Sequence, residues 1–108
     1  MILELAPLCV QPGRESEFEN AFAQAQSLIA RMPGYLAHDL RRCIERPNEY
    51  LLQVWWRTLE DHEIGFRRSA EYLEWKKLLH HFYDPFPSVS HYRAVPGAAS
   101  NDVRFDRA

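Results

Sequence analysis

Hydrophobic residues follow two different periods along this chain. Apolar runs of strand length, alternating or continuous, cover four segments, at residues 2–10, 35–45, 50–56 and 88–95. Between them, apolar residues recur at three- and four-residue steps over residues 14–32 and 58–83. The predicted order is therefore β-α-β-β-α-β, the split βαβ arrangement. It predicts an α+β fold of the ferredoxin-like type, with a four-stranded antiparallel sheet that carries its helices on one face.

The stretch from residue 49 to residue 83 organises the predicted fold. Its apolar run, 51–56, is too short for a free-standing helix and ends in two tryptophans. Thr58 then suits the N-cap of a short helix that Gly65 is predicted to end, and Ser69 suits the N-cap of a longer one. Two adjacent helix starts would direct N–H groups and aromatic rings at the end of one strand. This predicts a pocket for a flat, mostly apolar ligand.

The face of the sheet away from the helices is also predicted to be apolar. Depending on the parity of the third strand, this open face holds either Trp55 with Leu51 or Trp56 with Leu52 and Val54. An exposed apolar sheet of that size indicates a partner surface. We therefore expect a homodimer in which two sheets pack face to face.

The length of the chain allows one domain. A chain of 108 residues can bury one ordinary core and has no room for a second. The patterned part ends at residue 95, so the domain is predicted to span 1–95. Residues 96–108 are small and polar apart from Val103 and Phe105, and they are predicted to form a tail, either frayed or draped over a partner.

Charge and composition exclude several classes of function. The net charge is −2, and the 13 basic and 15 acidic side chains are intermixed, so nucleic-acid binding is disfavoured. The first residues lack the basic region of a signal peptide, and no apolar run approaches the ~18 residues that indicate a membrane span. Cys9 and Cys43 lie on separate predicted strands and are predicted to be buried thiols without a disulfide. These features predict a cytoplasmic protein with no membrane contact.

Several short motifs resemble one known family. They are Pro12-Gly13, Pro33-Gly34-Tyr35, Trp56-Arg57-Thr58-Leu59-Glu60, Ser69-Ala70-Glu71-Tyr72 and Val89-Ser90-His91-Tyr92. In this order they resemble the antibiotic biosynthesis monooxygenase family of dimeric α/β barrels, over about residues 1–95.

The resemblance implies a reaction without a bound cofactor. The family includes oxygenases that convert polyketide phenols or anthrones into quinones, in the cavity between the helices and the sheet. It also includes haem-degrading enzymes, which share three residues: an Asn on strand one, a Trp that ends strand three and a His on the next helix. Only Trp56 matches that set, because strand one offers Ala6-Pro7 and the His position falls near Phe66. Haem degradation is therefore disfavoured.

Five residues are the candidates for the site. His62, four residues before Phe66 on one helical face, is the candidate base that takes a proton from a phenol. Trp56 and Phe66 are predicted to form the walls, and Arg67 and Tyr72 to anchor a phenolate or carboxylate. Three of them have a structural alternative: Trp56 as a core indole, His62 as a solvated imidazole, and Arg67 as a surface charge.

A metal site is not predicted. His80 and His81 are neighbours on a helix and point roughly 100° apart. His38 and His91 fall on strands at opposite edges of the expected sheet. The first functional hypothesis is thus a homodimeric, cofactor-independent monooxygenase that oxidises an electron-rich phenol, anthrone or quinol. The alternative is a non-catalytic homodimer that binds a small hydrophobic metabolite.

Overall fold

The structure, a computed structural model, describes residues 1–100. Its elements are β1 (Ile2–Cys9), α1 (Glu15–Ala30), β2 (Tyr35–Arg42), β3 (Glu49–Trp56), a π-helical turn (Asp61–Phe66), α2 (Ala70–Leu79), a 3-10 turn (His80–Phe82) and β4 (Ser90–Tyr92). The predicted order β-α-β-β-α-β is confirmed. Most of the predicted tail, including Val103 and Phe105, lies outside the described residues.

The four strands form one antiparallel sheet in the order β2-β3-β1-β4. This is the predicted ferredoxin-like sheet, with the two hairpin strands on one side and the two terminal strands on the other. His38 and His91 lie on opposite edges of it, as predicted. Cys9 on β1 is separated from the end of β2 by β3, and both cysteines are free thiols. They are half-buried rather than buried, because Cys9 faces away from the helices and Cys43 follows the end of β2.

A β-bulge at the start of β2 changes which side chains share a face. Tyr35 pairs with Trp56 and Ala37 pairs with Trp55, so Leu36 is the extra residue. Strict alternation predicts Tyr35 and His38 on opposite faces, and this is wrong. The extra residue lets both side chains point toward the helices, where the Tyr35 hydroxyl and His38 Nδ1 share a hydrogen bond.

The core lies between the sheet and the helices. The parity of β3 is now settled, since Leu52, Val54 and Trp56 are buried in this core, and Trp56 is 0% exposed. Trp55 points to the open face with Leu51. α1 packs beside α2 over the sheet and contributes its buried face through Phe18, Phe22 and other apolar residues. Within residues 1–100, no helix is both long enough and apolar enough to cross a membrane.

The ends of two strands differ from the prediction. β2 ends at Arg42 rather than residue 45, because residues 44–48 form the hairpin turn, which the hydrogen bond from the Cys43 N–H to the Glu49 carbonyl closes. β4 is limited to Ser90–Tyr92, since β1 offers only Leu3, Glu4 and Leu5 as pairing partners there.

Candidate functional site

A continuous helical stretch after β3 positions the central side chains of the site. Thr58 Oγ1 accepts a hydrogen bond from the Asp61 N–H at 3.1 Å, as expected for the predicted cap. The following turn is widened, and the Arg67 N–H donates to the His62 carbonyl five residues earlier. The short helix that was predicted to end at Gly65 ends one residue later, at Phe66, because the wide turn includes the glycine. Both His62 and Phe66 therefore face inward and are buried.

Ser69 begins α2 immediately afterwards. Its hydroxyl oxygen accepts a hydrogen bond from the Tyr72 N–H at 3.0 Å, which confirms the predicted second N-cap. The cap fixes the angle between the π-helical turn and α2. As a result Tyr72 meets Phe66 edge to face, with ring centroids 5.1 Å apart.

A cleft of about 320 Å³ lies under these helices. This is at the small end of the volumes usual for ligand pockets, about 300–1,000 Å³. Aromatic side chains dominate its walls: Phe66, Tyr72, Trp75, Tyr83 and Phe86. Polar side chains also line it, namely those of Glu4, His62, Arg67 and His80.

Four of the five candidate residues line this cleft, namely His62, Phe66, Arg67 and Tyr72. Trp56 does not. Its indole is fully buried and stacks against the His62 imidazole, with centroids 5.4 Å apart and planes 22° apart. The expectation that Trp56 forms a wall for the ligand is therefore corrected. It supports the site from behind.

A buried polar cluster forms the floor of the cleft. The Trp56 Nε1–H donates to Glu4 Oε1 at 2.9 Å. His62 Nε2 lies 3.3 Å from the same oxygen, and His62 Nδ1 shares a 2.7 Å hydrogen bond with His91 Nε2. Glu4 and His62 are 5% and 3% exposed. A carboxyl group and an imidazole are thus held almost out of water, in fixed orientations, at the edge of an aromatic cavity.

Burial determines the protonation of this cluster. It raises the pKa of Glu4 to about 7, although the hydrogen bond from Trp56 and the positive charge of Arg67 oppose the rise. It also lowers the pKa of His62 to about 3, with smaller contributions from Arg67 and His91. His62 is therefore uncharged at neutral pH, and its 3.3 Å contact with Glu4 is not an ion pair.

Glu4 and His91 are site residues that the sequence analysis missed. Glu4 stands out as the one acid in an apolar strand, and that is the signal that could have found it. His91 faces Glu4 across the β1–β4 pair, which only the strand order reveals. Once the strand order is known, the pairing of Glu4 with His91 on the helix-facing side of the sheet predicts a buried polar contact.

A resident metal ion gains no support from this arrangement. Within residues 1–100, no group of three or more His, Cys, Asp or Glu side chains is placed to hold one. In the floor cluster the donor atoms contact one another directly.

Comparison with known proteins places the chain in a family. The family model for antibiotic biosynthesis monooxygenases matches residues 1–78. The uncharacterized protein YczJ of Bacillus subtilis (strain 168) is 54% identical over 95 residues, which cover 88% of this chain and 100% of the relative. Deoxynogalonate monooxygenase of Streptomyces nogalater is 38% identical over 58 residues, covering 53% of this chain and 45% of that enzyme.

Solved structures agree with the family match. A Bordetella bronchiseptica protein assigned to the antibiotic biosynthesis monooxygenases superposes with a TM-score of 0.83 at 42% identity, over 87% of this chain and 96% of that one. SnoaB, a cofactor-independent oxygenase from Streptomyces nogalater, has the same fold, with a TM-score of 0.78 at 20% identity over 92% and 97% of the two chains. The sequence match over most of the domain, the split βαβ sheet and the cleft beneath its helices lead to one conclusion: this chain belongs to the antibiotic biosynthesis monooxygenase family.

Proposed function

We propose that this protein is a cofactor-independent monooxygenase that oxidises an electron-rich aromatic compound of the phenol, anthrone or quinol type. The observation that carries the proposal is the pairing of an aromatic cleft with a buried, uncharged imidazole and a carboxyl group at its floor. A flat, mostly apolar ligand fits the walls, and the polar floor supplies a group that exchanges protons. The similarity to a Streptomyces enzyme named as a monooxygenase supports the same type of reaction.

The reaction needs a base and a dry pocket, and the substrate supplies the electrons. Loss of a proton from the substrate to the base gives an anion that passes one electron to dioxygen. The substrate radical and superoxide combine into a peroxide, which takes a proton. Loss of the second substrate proton, with cleavage of the O–O bond, then forms a carbonyl group and releases water. One oxygen atom enters the product and the other enters water, and all four electrons come from the substrate.

The residues of the cleft divide this work. Phe66 and Tyr72 hold the aromatic ring of the substrate, and Arg67 at the exposed rim faces the developing negative charge of the phenolate. The proton is taken by the Glu4–His62 pair at the floor, of which His62 is the member predicted from the sequence. Trp56 fixes that pair from behind through its hydrogen bond to Glu4.

Oxygen uptake with a reduced anthrone or quinol tests the proposed function. We expect the wild-type protein to consume one dioxygen per substrate molecule. Replacing Arg67 by methionine is expected to raise KM about tenfold, which corresponds to about 1.4 kcal/mol of lost binding. Arg68→Met is the matched control, because Arg68 is also exposed but does not line the cleft.

The alternative, a binding protein without catalysis, gives a different result. In that case the ligand quenches tryptophan fluorescence, through Trp75 in the cleft wall, while the oxygen concentration stays constant. Equal kinetics for Arg67→Met and Arg68→Met would contradict the placement of the substrate anion at Arg67.

We further propose that two copies pair through the open face of the sheet. Leu3, Leu5 and Leu51 lie on this face and are only partly buried in a single chain, and Tyr92 beside them is 52% exposed. Burial of such a surface is favourable at about 25 cal/mol per Å² of apolar area. A second copy presents the same face, so the two apolar surfaces can cover each other in a symmetric dimer.

Sedimentation velocity tests the pairing with two leucine substitutions. Leu51→Glu places a charge in the proposed interface and is expected to convert a wild-type dimer into a monomer. Leu73→Glu is the control, since Leu73 is 58% exposed on α2, on the opposite side of the sheet, and should leave the dimer intact. A wild-type protein that sediments as a monomer at micromolar concentration would contradict the proposed interface.

A further inference from the structure

The orientation of the floor cluster singles out Glu4 as the group that meets the substrate. Both polar contacts of Glu4 fall on Oε1: the hydrogen bond from Trp56 and the 3.3 Å approach of His62 Nε2. Oε2 makes neither of these contacts, and Glu4 is one of the residues that line the cleft. Within residues 1–100, no side-chain oxygen or nitrogen is fully buried without a hydrogen-bond partner, so Oε2 is not sealed off inside the protein. It is a free carboxyl oxygen at the edge of an aromatic cavity.

His62, by contrast, has both ring nitrogens directed at polar side chains of the floor cluster. Its Nε2 lies against Glu4, and its Nδ1 is bonded to His91 on the neighbouring edge strand. A neutral imidazole carries one proton and one lone pair, and here one ring nitrogen is hydrogen-bonded to His91 while the other lies 3.3 Å from the Glu4 carboxyl oxygen. To accept a proton from a ligand, the ring would first have to break one of the two contacts. Its stacking on Trp56 also holds the ring in the orientation that gives these two contacts.

We propose that Glu4 is the catalytic acid–base of the oxidation, and that His62 is a positioning residue that fixes the Glu4 carboxyl group with the help of His91. This inference rests on the proposed function and names the group at which its protons move. Oε2 takes the first substrate proton and returns it to the peroxide. It then takes the second proton as the O–O bond breaks, and returns that one to the departing hydroxide to form water. Every proton transfer in the reaction thus uses one carboxyl group.

The surroundings of Glu4 suit this alternation. The groups that face it are the Trp56 indole from β3, the His62 imidazole from the π-helical turn and His91 from β4, with the Arg67 charge at the rim. Neither histidine adds a charge at neutral pH, because burial lowers the pKa of both. Burial also raises the pKa of Glu4 to about 7. A group that is near half protonation at the working pH can both accept and donate a proton efficiently.

A redox-inert phenol separates the two candidate bases without requiring turnover. The probe is p-nitrophenol, whose absorbance distinguishes the phenol from the phenolate. The spectrum is recorded near pH 7, where about half of the Glu4 carboxyl groups are ionised and able to accept a proton, and the phenolate fraction of the bound probe is compared with that of the free probe. With the wild-type protein we expect a phenolate band on binding, because Oε2 takes the proton. Glu4→Gln should bind the probe as the neutral phenol, and Glu4→Asp should restore the band in part.

Variants of the other residues complete the test. His62→Gln should keep the phenolate band, with a changed pH midpoint. Glu60→Gln is the control, because Glu60 is exposed and close to His62 in sequence, and it should leave the spectrum unchanged. In oxygen uptake, Glu4→Gln is expected to lower kcat by about 10²–10⁴-fold, the usual contribution of a positioned acid–base. If His62→Gln abolishes the phenolate band while Glu4→Gln retains it, His62 is the base and the inference is overturned.

Failure of the inference and failure of the proposed function are distinguishable. A phenolate band that depends on Glu4, together with an absence of oxygen uptake, supports Glu4 as the proton acceptor and refutes the oxygenase. Oxygen uptake that survives Glu4→Gln refutes the inference and supports the oxygenase. A probe that the wild-type protein fails to bind, or binds as the neutral phenol, also overturns the assignment of Glu4.

Discussion

Replacing Gly34 with alanine is expected to lower the free energy of unfolding by at least about 3 kcal/mol. Gly34 is buried in the turn before β2 and has a φ of +85°. A left-handed backbone costs a residue with a Cβ about 1–2 kcal/mol. The added Cβ would also lie 2.6 Å from the Cβ of Asp61 and would overlap the Asp61 carboxylate. Because the Asp61 Cβ is close to its backbone, the start of the π-helical turn would have to move.

Gly13→Ala isolates the backbone contribution to this effect. Gly13 has a similar φ of +90°, and nothing lies within 4 Å of the Cβ that alanine would add. It should therefore lose only about 1–2 kcal/mol in urea unfolding followed by circular dichroism. The difference between the two variants measures the overlap with Asp61. Equal destabilisation of both would show that Asp61 moves aside without cost.

The position of Gly34 also links stability to the site. The Gly34 carbonyl accepts a hydrogen bond from the Arg57 N–H at 2.8 Å, at the end of β3, and its Cα faces the residue that precedes His62. The turn before β2 therefore sets how the π-helical turn leaves the sheet. In Gly34→Ala protein that remains folded, we expect the Glu4–His62 contact to lengthen, since His62 moves with Asp61.

The fold could be predicted from local information, because periodicity and caps act locally. The 2.0 and 3.6 periods specify the strands and helices, and Thr58 and Ser69 mark their helix starts by a hydrogen bond within three residues. Gly65 marks the end of the short helix to within one residue, but the widening of that turn is not visible in the sequence pattern. The bulge at Leu36 is equally hidden from the sequence pattern, because it appears only when β2 is paired with β3.

The site was predictable only in part, because some of its residues are far apart in sequence. The spacing of His62 and Phe66 places both on one helical face, and the structure brings both to the cleft. Glu4 is 58 residues from His62 in sequence, and His91 is a further 29 residues away. Their contacts depend on the order of the strands and on the angle at which the π-helical turn crosses β1. No local pattern encodes that angle.

Glu4→Gln is expected to stabilise the protein at alkaline pH while it removes the proposed acid–base. The pKa of Glu4 is raised from 4.5 to about 7, so the folded protein holds a proton that the unfolded chain releases. Folding is therefore penalised as the pH rises from 4.5 to 7, by about 3 kcal/mol in total. Glutamine is neutral, and its side-chain oxygen can still accept the Trp56 hydrogen bond. At pH 8 the variant should be more stable than the wild type by about 3 kcal/mol, and at pH 4.5 the two should be about equal.

His62 changes the free energy of unfolding with pH in the opposite direction to Glu4. This makes the difference between the wild type and Glu4→Gln easier to measure. The pKa of His62 falls from 6.5 to about 3 on folding, so stability decreases as the pH drops from 6.5 to 3, by about 5 kcal/mol. Between pH 4.5 and 6.5 the folded protein carries its proton on Glu4 and the unfolded chain carries it on His62. The two slopes then cancel, so this pair leaves wild-type stability flat over that window. Glu4→Gln removes one slope, and its stability should climb steadily from pH 3 to pH 6.5.

Urea unfolding at a series of pH values from 3 to 8.5 measures both slopes, with Glu60→Gln as the control for loss of an exposed charge. The control should follow the wild-type curve in shape. A Glu4→Gln curve that runs parallel to the wild type, or lies below it at pH 8, would mean that Glu4 is ionised and paired in the folded protein. Its carboxylate would then contribute to stability instead of opposing it. A residue that opposes stability at neutral pH, and whose neutral isostere folds better but does not oxidise the substrate, is retained for its chemistry.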